Sequence, residues 1–273
     1  MDKTPDTLIT TNDGSYTLHS SEYDENMHSL SGAYEEALLK HVAPSRVLDN
    51  ESEHIAVLDV GFGIGYNTLA LLDALAAKHF RGSCDIVSFE KNRSFLPIME
   101  TIFFHDDRDK TYSFIKKAYR DGESRDGTVS LKILFGDARE SIRSLSYRQF
   151  DAIFFDPYSP SHNPELWSVE FFRKIFRLTA GHGVLTTYSS APQIRAALIE
   201  AGFIIGRGPS VGGKREGTLA AKSGIIPTLS EEEIRALKNN RRAVPYRDVN
   251  LTATREDILH QRLEEIKKLK GAC

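Results

Sequence analysis

Three glycines at alternate positions separate an apolar strand from an apolar helix in Val57-Leu58-Asp59-Val60-Gly61-Phe62-Gly63-Ile64-Gly65-Tyr66-Asn67. Few architectures use such a unit. A strand that enters a tight glycine turn and leaves as a helix is the opening piece of a doubly wound α/β sheet. Chain turning this tightly, with N–H groups facing outward, cradles a ligand or simply joins strand to helix. The spacing is G-x-G-x-G, which departs from the dinucleotide fingerprint G-x-G-x-x-G by one residue.

The rest of the middle of the chain repeats the alternation. Strand patterns at 55–60, 85–90, 131–135, 150–155 and 183–188 are separated by helical patterns at 67–79, 95–104, 138–145, 164–177 and 193–201. Segments 203–206 and 218–221 offer two final strands. The expected fold is α/β, a Rossmann-like, seven-stranded, mostly parallel, doubly wound sheet. Ligands in such sheets sit beyond the carboxyl ends of the strands, where the glycine loop lies. Segments 8–11 and 15–19 form an expected N-terminal β-hairpin around Asn12-Asp13-Gly14. A tail follows residue 223, with helical patterns at 230–239 and 256–269, the first opened by a Ser230/Glu233 capping box. Segments 107–109 and 120–127 are charged and read as exposed loops. The expected division is an appendage at 1–50, the core domain at 51–223 and a helical extension at 224–273.

Composition narrows the function classes. With 273 residues the chain can bury one large core and a small appendage. No apolar run approaches the ~18 residues of a membrane span, and Met1-Asp2-Lys3-Thr4-Pro5-Asp6 carries no secretory signal. A cytoplasmic location without a membrane partner is expected. Cys84 and Cys273 are the only cysteines, far apart, and read as free thiols; no metal site is expected. A net charge of −3 argues against a wholesale nucleic-acid coat but allows a local basic patch. Lys238, Arg241, Arg242 and Arg247 cluster around Pro245-Tyr246, and Lys267, Lys268 and Lys270 follow. They read either as phosphate contacts with Tyr246 as a stacking face, or as solvated helix ends.

Acids stand at the strand ends. The loop and the strand before it resemble the S-adenosylmethionine (SAM) loop of class I methyltransferases. Gly61, Phe62, Gly63, Gly65 and Asn67 would then lie against the methionine moiety. Glu90 ends the second strand, where a carboxylate can accept from both ribose hydroxyls; otherwise it is a surface charge. Gly136-Asp137-Ala138 follows the third strand. Asp137 can accept the adenine amino group, cap the helix behind it, or do both. Asp156-Pro157-Tyr158-Ser159-Pro160 ends the fourth strand. Asp156 reads either as the group that orients an acceptor amine and takes its proton, or as the start of an Asp-Pro turn. Tyr23 and His28 either line the cleft or pack the hairpin, and Trp167 reads as a packing anchor.

Four motifs in order resemble one family. Gly61-Phe62-Gly63-Ile64-Gly65-Tyr66-Asn67 resembles the GFGTGxN loop of MnmC-type tRNA methyltransferases, with Ile64 for Thr. Asp156-Pro157-Tyr158-Ser159-Pro160-Ser161-His162-Asn163-Pro164-Glu165-Leu166-Trp167 resembles their DxFxPxxNPxxW segment, with Tyr158 for Phe. Thr187-Tyr188-Ser189-Ser190-Ala191 through Gly202-Phe203 resembles their T(F/Y)(S/T)xA…AGF stretch. Gly212-Gly213-Lys214-Arg215-Glu216 matches their GxKRE close. The resemblance implies SAM-dependent N-methylation of 5-aminomethyl-(2-thio)uridine at the tRNA wobble position. It implies Asp156 as the catalytic acid-base group, and Pro157, Tyr158, Lys214, Arg215 and Glu216 near an anticodon stem-loop substrate. No FAD oxidase pattern follows the core, so the stand-alone branch is expected. Two rivals remain: a spermidine-synthase-like aminopropyltransferase, disfavoured because 156–160 carries a single acid, and a non-catalytic SAM-binding RNA-interaction module.

Overall fold

The computed structural model describes residues 6–145, 148–211 and 216–271. Eight strands form the main sheet: β4 (His54–Val60), β5 (Ser83–Glu90), β6 (Glu123–Asp126), β7 (Val129–Phe135), β8 (Phe150–Phe155), β9 (Thr179–Thr187), β10 (Ile204–Arg207) and β11 (Thr218–Ala221). Their order is β10-β11-β9-β8-β4-β5-β7-β6. The five strands β9, β8, β4, β5 and β7 run parallel, while β6 and β11 pair antiparallel. From β4 the chain winds first through β5 and β7 and then back to β8 and β9. The order therefore reverses between β4 and β8, and a crevice opens beyond their carboxyl ends.

The apolar strands alternate faces. Leu58, Ile153, Phe155 and Leu185 join one buried cluster, while Val57, Ile86, Ala152 and Phe154 join the other. Period-2 side-chain geometry divides each strand between two covered faces. The first face lies under α6 (Val169–Leu178), α7 (Pro192–Ala201) and part of the tail. The second lies under α1 (Ala33–Ala37), α2 (Tyr66–Ala77) and α4 (Arg108–Asp121). Between these come the single turns α3 (Leu96–Met99) and α5 (Ala138–Ser141). The tail adds α8 (Glu231–Lys238), opened by the expected Ser230/Glu233 capping box, and α9 (Arg255–Gly271). A separate three-stranded sheet, β1 (Thr7–Thr10), β2 (Tyr16–Ser20) and β3 (Glu25–Asn26), extends the expected hairpin by one strand.

Four expectations change. The sheet has eight strands rather than seven, because β6 adds an antiparallel edge inside the segment read as a loop at 120–127. The charged stretch from Asp107 opens the 14-residue α4, which buries Tyr112, Ile115, Ala118 and Tyr119; those positions recur at helical spacing, and the surrounding Lys, Arg and Asp residues obscured it. The helix expected at 95–104 is one turn only. Helix 164–177 is split by Ser168, which caps α6 by accepting the Phe171 N–H at 3.3 Å. Among the described residues, no helix is long and apolar enough to cross a membrane.

Candidate active site

A cavity of about 500 Å³ lies at the switch point between β4 and β8, within the usual size range of small-molecule sites. Gly61, Phe62 and Gly63 form one wall, Glu90 another, Gly136, Asp137 and Ala138 a third, and Asp156, Pro157 and Tyr158 a fourth. Gly65 and Asn67, expected against the ligand, lie behind the loop instead. Gly65 holds φ +88° at the start of α2, and a Cβ there would come 2.7 Å from Ile115 Cγ2. Asn67 is buried and donates its Nδ2 to Asp59 Oδ1 at 3.2 Å and to Asp156 Oδ2 at 3.3 Å.

The loop does not work as a bare N–H cradle. Gly61 and Phe62 both donate to the Phe89 carbonyl, at 3.2 and 3.0 Å, and Gly63 donates to Glu90 Oε2 at 2.7 Å. The glycines matter for close approach. Gly61 has φ +93°, and a Cβ on it would meet the Asp156 backbone oxygen at 2.6 Å. Only glycine lets β4 leave the sheet this close to β8.

Glu90 Oε1 accepts from the Asn92 N–H at 2.7 Å. Each carboxylate oxygen thus accepts from the backbone, and its remaining lone pairs can accept from hydroxyls in the cavity. Burial pushes the Glu90 carboxyl up to about 7. Asp137 caps α5 through the Arg139 N–H at 2.8 Å and pairs with the Arg139 guanidinium at 2.7 Å. Arg139 reaches on to buried Asp248 at 2.8 Å, tying the tail to this wall. Asp137 is therefore a cap and also a cavity-lining carboxylate.

Asp156 donates its N–H to the Val60 carbonyl at 2.9 Å and lines the cavity. Three backbone contacts fix its loop. The Trp167 Nε1–H donates to the Tyr158 carbonyl at 2.9 Å, the Tyr188 hydroxyl to the Pro157 carbonyl at 3.0 Å, and the Ser159 N–H to Glu25 Oε1 at 2.6 Å. Trp167 is fully buried, the anchor expected from sequence. Tyr23 stacks on Tyr158 at 4.0 Å, and His28 lines the cavity.

Other cavity residues escaped the sequence reading. Glu25 and Glu36 reach the cavity from the N-terminal segment, and Glu36 pairs with buried Lys40 at 3.1 Å. Burial, with Asp156, Glu25 and Glu36 near it, pushes the Tyr188 hydroxyl well above its usual range. Glu216 does not line the cavity. It pairs with Arg195 at 2.9 Å and Arg207 at 2.6 Å, joining α7 to β10. Lys214 and Arg215 lie outside the described residues. In the tail, Tyr246 is buried against Arg262, so it offers no stacking face, and Arg247 is held by Glu200 at 2.5 Å. Arg241 and Arg242 are exposed.

The site's features fit one cofactor class. The buried Glu90 with open lone pairs and the apolar walls from Phe62, Phe89 and Ala138 suit a nucleoside with two ribose hydroxyls. Residues 104–223 match a family described as S-adenosyl-L-methionine-dependent methyltransferase. The crystal structure of MnmC2 from Aquifex aeolicus superposes with a TM-score of 0.88 at 34% identity, covering 98% of this chain and 87% of that one. The chain belongs to the MnmC-type methyltransferases. An uncharacterised protein of Methanocaldococcus jannaschii is 34% identical over 272 residues, covering 96% of this chain and 73% of that protein. A bifunctional relative from Burkholderia vietnamiensis, named for tRNA 5-methylaminomethyl-2-thiouridine biosynthesis, is 32% identical over 226 residues, 77% of this chain. The chain spans about a third of that relative's length, 34%. As an MnmC-type methyltransferase, this enzyme takes its methyl group from SAM. Gly61, Gly63, Glu90 and Asp137 line the cavity described above.

Proposed function

We propose that this enzyme N-methylates a 5-aminomethyl-(2-thio)uridine at the wobble position of tRNA. The observation that carries the reading is the meeting of Asp156 with Glu25 and Glu36 around one end of the cavity. Carboxylates from three separate elements favour a cationic acceptor, as a primary ammonium is. The bifunctional relatives are named for a methylaminomethyl product.

SAM, when bound, supplies a methyl carbon made electrophilic by a positively charged sulfur. Asp156 accepts a proton from the incoming ammonium, which frees the nitrogen lone pair to attack. Glu25 and Glu36 stabilise the positive charge that develops on the nitrogen as the N–C bond forms and the S–C bond breaks, and the pinned 156–159 loop fixes the direction of approach. Glu36 is itself balanced by Lys40, so the acidic end is not a naked cluster.

Glu25 and Glu36 also remove the sequence argument against an aminopropyltransferase, which rested on a single acid. Family membership stands against it instead. An acceptor panel separates the readings. Labelled SAM is incubated with an anticodon stem-loop carrying the 5-aminomethyl group, and decarboxylated SAM with putrescine. Label on the stem-loop alone is expected. Aminopropyl transfer, or binding without transfer, would overturn the assignment.

A further inference from the structure

Beneath Asp156 runs a buried chain of polar groups that proton removal by a single acid does not use. His41 is 1% exposed and stands in the π-helical turn Leu38–Val42. Such turns are rare and displace a side chain from its ordinary helical position. Its Nδ1 lies 3.0 Å from the Thr186 hydroxyl on β9, and its Nε2 lies 3.5 Å from Asp156 Oδ1 with no hydrogen-bond partner. Asn67 holds the other carboxylate oxygen and also reaches Asp59, whose second oxygen accepts from the Ser88 hydroxyl at 3.2 Å. Thr186, His41, Asp156, Asn67 and Asp59 thus form one continuous polar line under the cavity floor.

A ring nitrogen aimed at a carboxylate oxygen is repulsive when bare and attractive when it carries a proton. Thr186 selects between these states. Its hydroxyl lies 3.4 Å from the Ile153 carbonyl and 3.0 Å from His41 Nδ1. Donating to Nδ1 places the ring proton on Nε2, toward Asp156. Donating to Ile153 leaves the Thr186 oxygen to accept an Nδ1–H, and Nε2 then faces Asp156 with a proton only if the ring is charged.

We propose, resting on the amine-methylation reading above, that His41 is a positioning residue: its Nε2 proton anchors Asp156 Oδ1, as Asn67 anchors Oδ2, and keeps the carboxylate ionised and turned to the acceptor. The need for such an anchor is electrostatic. Asp156 faces Glu25 and Glu36 across the cavity, with Asp59 below it on β4 and the Tyr188 hydroxyl beside it. The ionised carboxylates among these crowd negative charge around Asp156, while Tyr188 stays neutral, Lys40 is taken by Glu36 and His162 by Glu25. Among the described contacts of the His41 ring, Thr186 and the Phe154 ring offer no charge.

The test combines kinetics with a spectroscopic readout. In His41→Phe the acidic limb of the kcat/KM profile moves to higher pH by about one unit. The kcat at neutral pH falls about tenfold, while the dissociation constant for S-adenosylhomocysteine is unchanged. His41→Gln, which keeps a donor, restores part of the loss and stands in if the Phe variant does not fold. Separately, ¹⁵N spectra of the full chain without acceptor, with the His41 signals assigned by their loss in His41→Gln, follow its ring nitrogens. They move toward the free-base Nε2 value in Asp156→Asn. Unmoved pH limbs in both variants, or identical His41 spectra in wild type and Asp156→Asn, would overturn the anchor. A wild-type enzyme inactive on the aminomethyl acceptor would sink the substrate reading, and the spectra would still judge His41.

Discussion

Two carboxylates divide the work at the residue scale, and their surroundings make the division. In the proposed reaction Asp156 serves the acceptor, while Glu90 is buried on another wall of the cavity and pushed up to about 7. Asp156→Ala should lower kcat by about a thousandfold and leave SAM binding nearly intact; isothermal titration and steady-state rates on one preparation check both. Glu90 must be ionised to accept from two hydroxyls. SAM affinity should therefore rise about tenfold between pH 6 and pH 8, and Glu90→Gln should flatten that rise. Folding stability runs the other way. The folded chain keeps the Glu90 proton between 4.5 and about 7, so this contribution is complete at low pH and lost as pH climbs through about 7. Glu90, Asp137 and Asp156 were legible in the sequence because a doubly wound sheet puts its ligand beyond strand ends. Glu25, Glu36 and His41 were not, since no spacing links an N-terminal segment to a cavity it reaches only through tertiary packing.

Among the elements, the β4–loop–α2 unit decides whether the site exists. Its glycines permit contact between strands more than they offer free amides. Gly61→Ala should cost about 1–2 kcal/mol for its left-handed backbone, and more because the new Cβ meets the Asp156 backbone at 2.6 Å. SAM binding should be lost with it. Gly122→Ala, also left-handed but with open space around the Cβ, should show the backbone cost alone; thermal melts and SAM titrations of the pair separate clash from strain. The loop was plain in the sequence, as were the five parallel strands, because their apolar runs are short and bounded. Helix α4 and strand β6 were hidden by charge. A surface helix buries one stripe, and Tyr112, Ile115, Ala118 and Tyr119 carry that stripe amid Lys, Arg and Asp.

The whole molecule wraps two appendages around one sheet, and each contributes to the site. The small N-terminal sheet brings Glu25 and stacks Tyr23 on Tyr158. The tail locks onto the cofactor wall through Asp248 and Arg139, and Arg255 donates to the Ser161 carbonyl at 3.3 Å beside the acceptor loop. The exposed Arg241 and Arg242 lie on the same tail. Arg241→Glu with Arg242→Glu should raise the KM for tRNA about tenfold at moderate salt and leave the SAM KM unchanged; an unchanged tRNA KM would return these residues to solvent. The motif at Lys214-Arg215-Glu216 divides at this scale, with Glu216 binding α7 to β10 rather than facing the cavity. The central assignment is the acceptor amine, and mass spectrometry of wobble nucleosides tests it most directly. After incubation of SAM and the enzyme with tRNA bearing 5-aminomethyl-uridine or its 2-thio form, the wobble nucleoside should gain one methyl group on its side-chain nitrogen. An unmodified wobble nucleoside, or a methyl group elsewhere in the tRNA, would contradict it.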